Sequence, residues 1–234
     1  MKPNAIFIIG SGRSGTHLLC KSLLGYRNVN DGLDGQENSK VLESSTISAI
    51  MHRELDEWVI KHYKKKISEY NEKNYIFVDQ SHTNLFNVKQ LRSHFPNAIF
   101  LMTERDTVQI VSSYMEGYGK FRVWINWAKV NDHPLPNRFL GTTTNEQLMN
   151  TPRHVLATMR TQAVKEEMAR VYKEHKDVVY KIKFEDMILK HKTFLESLDI
   201  HIGSDRKFVT IREDVLTKYN NVLSQQEQEE IANV

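Results

Sequence analysis

The chain has 234 residues, 40% apolar and 26% charged, which is enough for one α/β domain and unlike the composition of disordered chains. Its formal charge of +3 weakly favours an anionic ligand. The single cysteine, Cys20, excludes a disulfide within the chain, and no apolar stretch approaches the roughly 18 residues of a membrane span. We expect one domain over residues 1–234, cytoplasmic, with no membrane partner.

The first predicted element is a strand, Ala5–Ile9, which runs through a glycine-rich turn, GSGRSGTH at residues 10–17, into a helix over Thr16–Leu24. Such a turn aims backbone N–H groups and the positive end of the helix dipole at one spot, which suits a phosphate. The turn also has the glycine spacing of the ATP-binding P-loop. Thr16, however, stands where that motif needs lysine, and His17 where it needs the magnesium-binding Ser or Thr. A standard ATPase or kinase is therefore disfavoured, and a plain tight turn is the simplest alternative.

The longest predicted helix covers residues 45–71. Its apolar residues, from Ile47 to Tyr70, recur at spacings of three and four, which predicts one buried stripe. We expect the aromatics of this stripe, Trp58 and Tyr63 among them, to lie in the core.

The second predicted strand, Tyr75–Val78, leads directly into Asp79-Gln80-Ser81-His82, and a helix over Val88–His94 follows. A histidine at a strand end is often structural. It is also partly neutral near pH 7 and can then act as a general base.

The third predicted strand, Ala98–Met102, leads into Arg105, and the next helix, Thr107–Met115, carries Ser113 eight residues after that arginine. Arg105 offers a charged fork and Ser113 a hydroxyl, and both suit a phosphate dianion. Taken separately, they could equally be a structural ion-pair partner and a helix-surface residue.

Residues 117–151 lose periodicity and carry glycines, prolines and several aromatics, which is typical of a lid or binding loop over an acceptor site. A surface excursion with its own small core is the alternative. Beyond it we predict a helix, a strand and two more helices, the last opened by a capping box of Ser224 and Glu227. These are Pro152–Glu174, Val178–Ile182, Phe194–Leu198 and Ser224–Ala232.

Strands and helices thus alternate along the chain, which predicts an α/β fold with a central parallel sheet and crossover helices on its faces. No repeat, metal-ligand cluster or nucleic-acid-binding motif is evident, so we expect neither a metal nor a nucleic-acid partner. Oligomeric state is left open.

The turn at residues 10–17, between its strand and helix, resembles the 5′-phosphosulfate loop of sulfotransferases that use 3′-phosphoadenosine-5′-phosphosulfate (PAPS). This resemblance implies the P-loop-NTPase-like sulfotransferase fold and PAPS as the donor. It implies that Arg13 takes the place of the kinases' metal as a catalytic cation. It also implies that the loop surrounds the phosphosulfate with Gly12, Arg13, Ser14, Gly15, Thr16 and His17.

Two further segments resemble the same family. Arg105 and Ser113 have the spacing of its 3′-phosphate site, and residues 178–186 are similar to its late strand ending in Tyr-Glu-Asp, with Phe184 in place of the tyrosine. The closing segment, residues 219–231, also resembles family C-termini.

The family's catalytic base has two candidate positions here. In cytosolic sulfotransferases it is the histidine of a Lys-Thr-His segment at nearly the distance of His82 from Arg105, although Gln80 stands where the lysine would be. Another branch uses a glutamate from the loop after the first helix, which makes Asp34, Glu37 and Glu43 rivals.

The adenosine loop Arg-Lys-Gly of cytosolic members is not evident, and the candidates to replace it are Arg206, Lys207 and Arg212. His17 and Thr107 also depart from the usual threonine and proline. The expected reaction is sulfuryl transfer from PAPS to an acceptor whose class the sequence does not identify. The alternatives are an atypical P-loop phosphotransferase and, more remotely, a basic nucleic-acid-binding module.

Overall fold

The computed structural model describes residues 2–33, 35–116, 135–141, 144–207, 216–217, 220 and 222–234. Five parallel strands form one sheet in the order β2-β3-β1-β4-β5. The strands are β1 Ala5–Gly10, β2 Val29–Asp31, β3 Ile76–Asp79, β4 Ile99–Glu104 and β5 Val179–Lys183. The four predicted strands are confirmed, three of them to within a residue at each end, whereas β4 runs two residues beyond its predicted end at Met102. The edge strand β2 was missed because it is three residues long and only Val29 in it is buried.

Helices cover both faces of the sheet, as the alternating pattern predicted. They are α1 Thr16–Leu23, α2 Gly35–Ile50, α3 Glu57–Asn71, α4 Val88–His94, α5 Thr107–Glu116, α6 Asn145–Asn150, α7 Arg153–His175, α8 Phe184–Leu189, α9 His191–Ile202 and α10 Gln225–Ala232. A 3₁₀ helix, His82–Asn87, joins β3 to α4. The capping box of Ser224 and Glu227 is confirmed at the start of α10. None of the helices in the described ranges has the length and apolarity that crossing a bilayer requires.

The prediction of one helix over residues 45–71 is wrong, because α2 ends at Ile50 and α3 begins at Glu57. Between them, Gln90 of α4 binds the backbone of Leu55 at both its N–H (2.8 Å) and its carbonyl (3.3 Å). Leu55 is thereby buried outside any helix. The expected burial of the stripe is confirmed at Tyr63, which is fully buried, and is wrong at Trp58, which is 45% exposed.

The core lies in two layers, one on each face of the sheet. Strand β1 runs through the centre, and all six of its residues are buried. On the face covered by α2, α3, α5 and α7, the ring of Phe7 packs 5.2 Å from that of Tyr63 and 5.4 Å from that of Phe100. On the other face, α1, α8 and α9 pack against Ile6 and Ile8.

All five strands end at the same edge of the sheet because they are parallel. At this edge, Gly10 of β1 pairs with Thr103 of β4, and β3 ends at Asp79 just before His82. In open α/β sheets this carboxyl edge is where ligands bind. The fold therefore gathers the predicted site residues at one edge.

The predicted lid lies partly outside the described residues, which omit 117–134 and 142–143. Its remaining part contains the short helix α6, opened by a capping box of Thr144 and Gln147, and the buried ring of Phe139. The lid interpretation stays a prediction.

Candidate active site

The loop between β1 and α1 is fixed to the sheet by a buried serine. The Ser14 hydroxyl donates to the Ser11 carbonyl (2.5 Å) and lies 2.6 Å from Thr103 Oγ1 on β4. Gly15, with φ 99°, is the N-cap of α1 and provides no side-chain cap. The first N–H groups of an α-helix have no partner within the helix, so this end of α1 offers donors to an anion.

Arg13 is held in a backbone conformation that is unusual for its residue type. Its φ is 70°, in the left-handed region, which costs a residue other than glycine about 1–2 kcal/mol. Its Nε donates to the Ser113 hydroxyl of α5 at 2.9 Å. A serine hydroxyl that accepts this bond still has its own hydrogen to donate. Strain of this kind is concentrated at functional sites.

Arg105 links the second predicted motif to the first. Only 7% of its surface is exposed, and its Nη1 donates to the carbonyl of Arg13 at 3.1 Å. Its guanidinium lies 4.0 Å from the ring centroid of Phe184, at the start of α8. Phe184 also lines the loop, because a Cβ on Gly15 would stand 2.5 Å from its ring. The cations Arg13 and Arg105 are thus neighbours at the start of α1.

His82 lies next to the same loop. A Cβ on Gly12 would stand 3.1 Å from His82 Nε2, so the ring approaches the loop backbone as closely as glycine allows. The structure thus brings His82, one of the candidate bases, next to the loop. Its role as the base stays a prediction.

The turn that presents His82 is organised by a buried carboxylate. Asp79 is fully buried and accepts hydrogen bonds from the Tyr63 hydroxyl (3.0 Å), the Asn84 amide (2.8 Å), and both the backbone N–H (3.1 Å) and the hydroxyl (2.9 Å) of Ser81. Burial nevertheless raises the pKa of Asp79 to about 6, against the lowering effect of the bonds from Ser81 and Tyr63. Asp79 and Ser81, which flank Gln80, are therefore held in place at the carboxyl edge of the sheet, directly before His82.

We expect Asp79→Asn to change how stability depends on pH. Because the folded protein holds a proton on Asp79 that the unfolded chain releases near pH 4, the contribution of Asp79 to stability falls as pH rises from about 4 to about 6. An asparagine has no such proton. Urea unfolding across this range should show wild type losing about 3 kcal/mol relative to Asp79→Asn. Parallel stability curves for the two proteins would contradict the raised pKa.

The rival bases are placed differently. Asp34 lies outside the described residues. Glu37, on α2, forms an ion pair with Lys66 of α3 (2.8 Å) and lies 3.5 Å from His62. Glu43 is exposed on α2. Glu37 is thus held against basic side chains of α3, and the choice among the candidate bases stays a prediction.

The structure shows contacts for two of the three residues that were candidates to replace the adenosine loop. Arg206 forms an ion pair with Asp199 of α9 and lies 5.5 Å from the ring of Tyr26. The backbone N–H of Lys207 bonds to the carbonyl of Gly25. Arg212 lies outside the described residues. Arg206 therefore fastens the end of α9 to the segment after α1.

Two residues that the sequence analysis missed also reach the loop. The Tyr114 hydroxyl of α5 donates to the Gly12 carbonyl at 3.1 Å, and Arg160 Nη1 of α7 donates to that hydroxyl at 2.5 Å. An arginine in a long helix usually faces water, so the sequence carried no signal for Arg160. Tyr114 directly follows Ser113, and that adjacency was the one available hint.

A cavity of about 340 Å³ opens beside Arg105, between the ends of β4 and β5 and helix α7. Three lysines line it together with Glu104 and Glu185. Lys181 forms an ion pair with Glu104 (2.8 Å), and Lys165 donates to the Thr107 hydroxyl (2.6 Å). In the described ranges, this cavity included, no group of three or more His, Cys, Asp or Glu side chains is arranged to hold a metal ion.

Comparison with known proteins identifies the family. A sequence model described as "Sulfotransferase family" matches residues 26–206, which include His82, Arg105 and Ser113 but not the loop at residues 10–17. The match covers more than half of the chain, so the protein belongs to the sulfotransferase family. No curated protein shows significant sequence similarity to the chain.

Solved structures of sulfotransferases share the fold. The chain is similar to the sulfotransferase domain from the curacin biosynthetic pathway (TM-score 0.55, 16% identity, 99% of this chain and 96% of that one). It is similar to a sulfotransferase from Alicyclobacillus acidocaldarius (TM-score 0.52, 12% identity, 100% and 95%). It also resembles the sulfotransferase domain of the Synechococcus PCC 7002 olefin synthase (TM-score 0.51, 12% identity, 99% and 94%). Unlike the family match, these likenesses span the loop, and they confirm the predicted P-loop-like sulfotransferase fold.

Proposed function

We propose that this sulfotransferase uses PAPS and moves its sulfuryl group to a hydroxyl or amine of an acceptor. The observation that carries the proposal is the approach of His82 Nε2 to Gly12 of the loop, which brings a general base to an anion-binding helix terminus. Sulfuryl transfer needs both, since a phosphate leaves as an acceptor loses its proton.

The donor would bind along the loop and the start of α5. The N–H groups at the start of α1 and the guanidinium of Arg13 would hold the 5′-phosphosulfate, with Ser14, Thr16 and His17 around it. Arg105 and the free hydrogen of the Ser113 hydroxyl would hold the 3′-phosphate. The contacts that join Arg13 to Ser113 and to Arg105 support one continuous site for both phosphates.

The reaction would be an in-line displacement at sulfur. A lone pair of the acceptor oxygen or nitrogen forms the new bond to sulfur, while the bond from sulfur to the 5′-phosphate oxygen breaks. That electron pair leaves with adenosine 3′,5′-bisphosphate, and His82 takes the acceptor proton. Arg13 and the loop N–H groups stabilise the charge that develops on the leaving oxygen. The acceptor would lie on the His82 side, under a lid formed by residues 117–151.

The proposal is tested by following the sulfur. PAPS labelled with sulfur-35 is incubated with the protein and panels of phenols, alcohols, amines and sugars. We expect label on at least one acceptor, with one adenosine 3′,5′-bisphosphate formed for each label transferred.

A further inference from the structure

Arg160, in the middle of α7, is a buried cation. Only 1% of its surface is exposed, and it is the largest of the fully buried side chains in the described part of the molecule. Arginine is almost never fully buried unless it is paired, because the guanidinium cannot lose its charge. Its burial therefore calls for a compensating negative charge.

The described residues do not provide that charge. No carboxylate within them forms an ion pair with Arg160, and its Nε has no hydrogen-bond partner among them. Its guanidinium lies 4.4 Å from the ring centroid of Phe139 and 5.4 Å from that of Tyr114. Cation–π contacts offset part of the lost hydration, but they do not neutralise the charge.

The remaining contact of Arg160 leads to the candidate active site. Its Nη1 donates to the Tyr114 hydroxyl at 2.5 Å, and that hydroxyl donates to the Gly12 carbonyl. A Cβ on Gly12 would stand 2.6 Å from the Tyr114 hydroxyl and 3.1 Å from His82 Nε2. Tyr114 and His82 therefore approach the same point of the loop.

We propose that the hydroxyl of Tyr114, polarised by the positive charge of Arg160, forms an anion-binding subsite for the transferring sulfuryl group. The inference rests on the proposed function, which puts the leaving phosphate at the start of α1 and the acceptor at His82. The sulfur then lies between them, beside Gly12. Tyr114 touches the sulfuryl oxygens, and Arg160 acts through it as a positioning residue.

The hydroxyl of Tyr114 can make this contact without a change of rotamer. A hydroxyl has one hydrogen that rotates to suit its acceptor, so it can turn from the Gly12 carbonyl to a sulfuryl oxygen while Arg160 continues to donate to the oxygen. A donor bond that is itself polarised by a buried cation is strengthened in the low dielectric of the interior.

The test uses melting temperatures of the full chain with inorganic sulfate standing for the sulfuryl group, alone and with adenosine 3′,5′-bisphosphate. The variant is Arg160→Met, which keeps the packing volume and removes the charge. The matched control is Arg170→Met on the same helix, where the arginine is half exposed and paired with Glu167 and Glu174. General stabilisation by sulfate, which acts on any protein surface, is then the same in all three proteins.

We expect sulfate to raise the melting temperature more in wild type and Arg170→Met than in Arg160→Met, while the rise due to the nucleotide is the same in all three. Without ligands, Arg160→Met should melt at or above the wild-type temperature, because methionine removes the desolvation cost of a buried charge that no carboxylate of the described residues compensates. A structural role for Arg160 predicts the opposite. An unchanged sulfate response, or an Arg160→Met protein that melts several degrees lower or does not fold, overturns the proposal.

Turnover of single and double variants gives a second test, because it shows whether Arg160 acts through Tyr114. Tyr114→Phe should lower kcat about 10²-fold, the usual effect of removing one donor to a developing negative charge. Adding Arg160→Met to Tyr114→Phe should then change kcat little, whereas independent roles predict additive losses. If wild type shows no response to adenosine 3′,5′-bisphosphate, the proposed donor is wrong, and the response to sulfate alone still decides the role of Arg160.

Discussion

His82→Asn should lower turnover at least about a hundredfold, within the 10²- to 10⁴-fold range that general-base catalysis contributes. Asparagine has a similar outline but cannot take the acceptor proton. The phosphate contacts of the loop and of Arg105 are left intact, so affinity for adenosine 3′,5′-bisphosphate should change little. A loss of kcat without a loss of nucleotide affinity marks an interaction made chiefly in the transition state.

The control for this substitution is His94→Asn, since His94 is an exposed histidine at the end of α4 and far along the chain from the loop. It should retain wild-type turnover. Glu37→Gln and Asp34→Asn test the rival bases. If either of them abolishes turnover while His82→Asn keeps it, the base belongs to the segment after α1 and our assignment of His82 is wrong.

Arg13→Gly should lower turnover about 10²- to 10³-fold and leave the protein at least as stable as wild type. The loss follows from removing a cation aimed at the charge that develops on the leaving oxygen. We expect the variant to stay as stable as wild type because glycine adopts the backbone φ of 70° found at Arg13 without the steric cost that a Cβ imposes. Activity and stability should thus move in different directions.

Steady-state kinetics and thermal unfolding of Arg13→Gly check both parts. Arg13→Lys is the companion variant, since it keeps the charge but loses the fork that reaches Ser113, and it should fall between wild type and Arg13→Gly. Wild-type turnover in Arg13→Gly would show that the loop N–H groups act without this cation.

The sheet was predictable because its strands are short apolar runs that end in polar or turn residues. The break between α2 and α3 was not, since the apolar spacing continues through it. What interrupts the helix is a tertiary contact, the binding of the Leu55 backbone by Gln90, and its signal lies 35 residues away. Strand β2 gave no signal because an edge strand of three residues has no readable alternation.

The loop and its partners in the candidate site were predictable to the extent that family motifs carried them. The sequence suggested Arg13, His82, Arg105 and Ser113, which the fold gathers at one sheet edge. It could not show that Arg105 binds the loop carbonyl while Ser113 accepts from Arg13. It also could not distinguish Arg160 from a surface arginine, because burial of a charge depends on how α7 packs on α5.

The fate of sulfur in labelled PAPS tests the central claim most directly, with wild type and His82→Asn assayed side by side against the same acceptor panel. We predict that wild type moves the label to an acceptor and releases an equal amount of adenosine 3′,5′-bisphosphate, and that His82→Asn does so at least about a hundredfold more slowly. Consumption of ATP with magnesium, together with no consumption of PAPS by either protein, would contradict the claim and assign the loop to phosphoryl transfer.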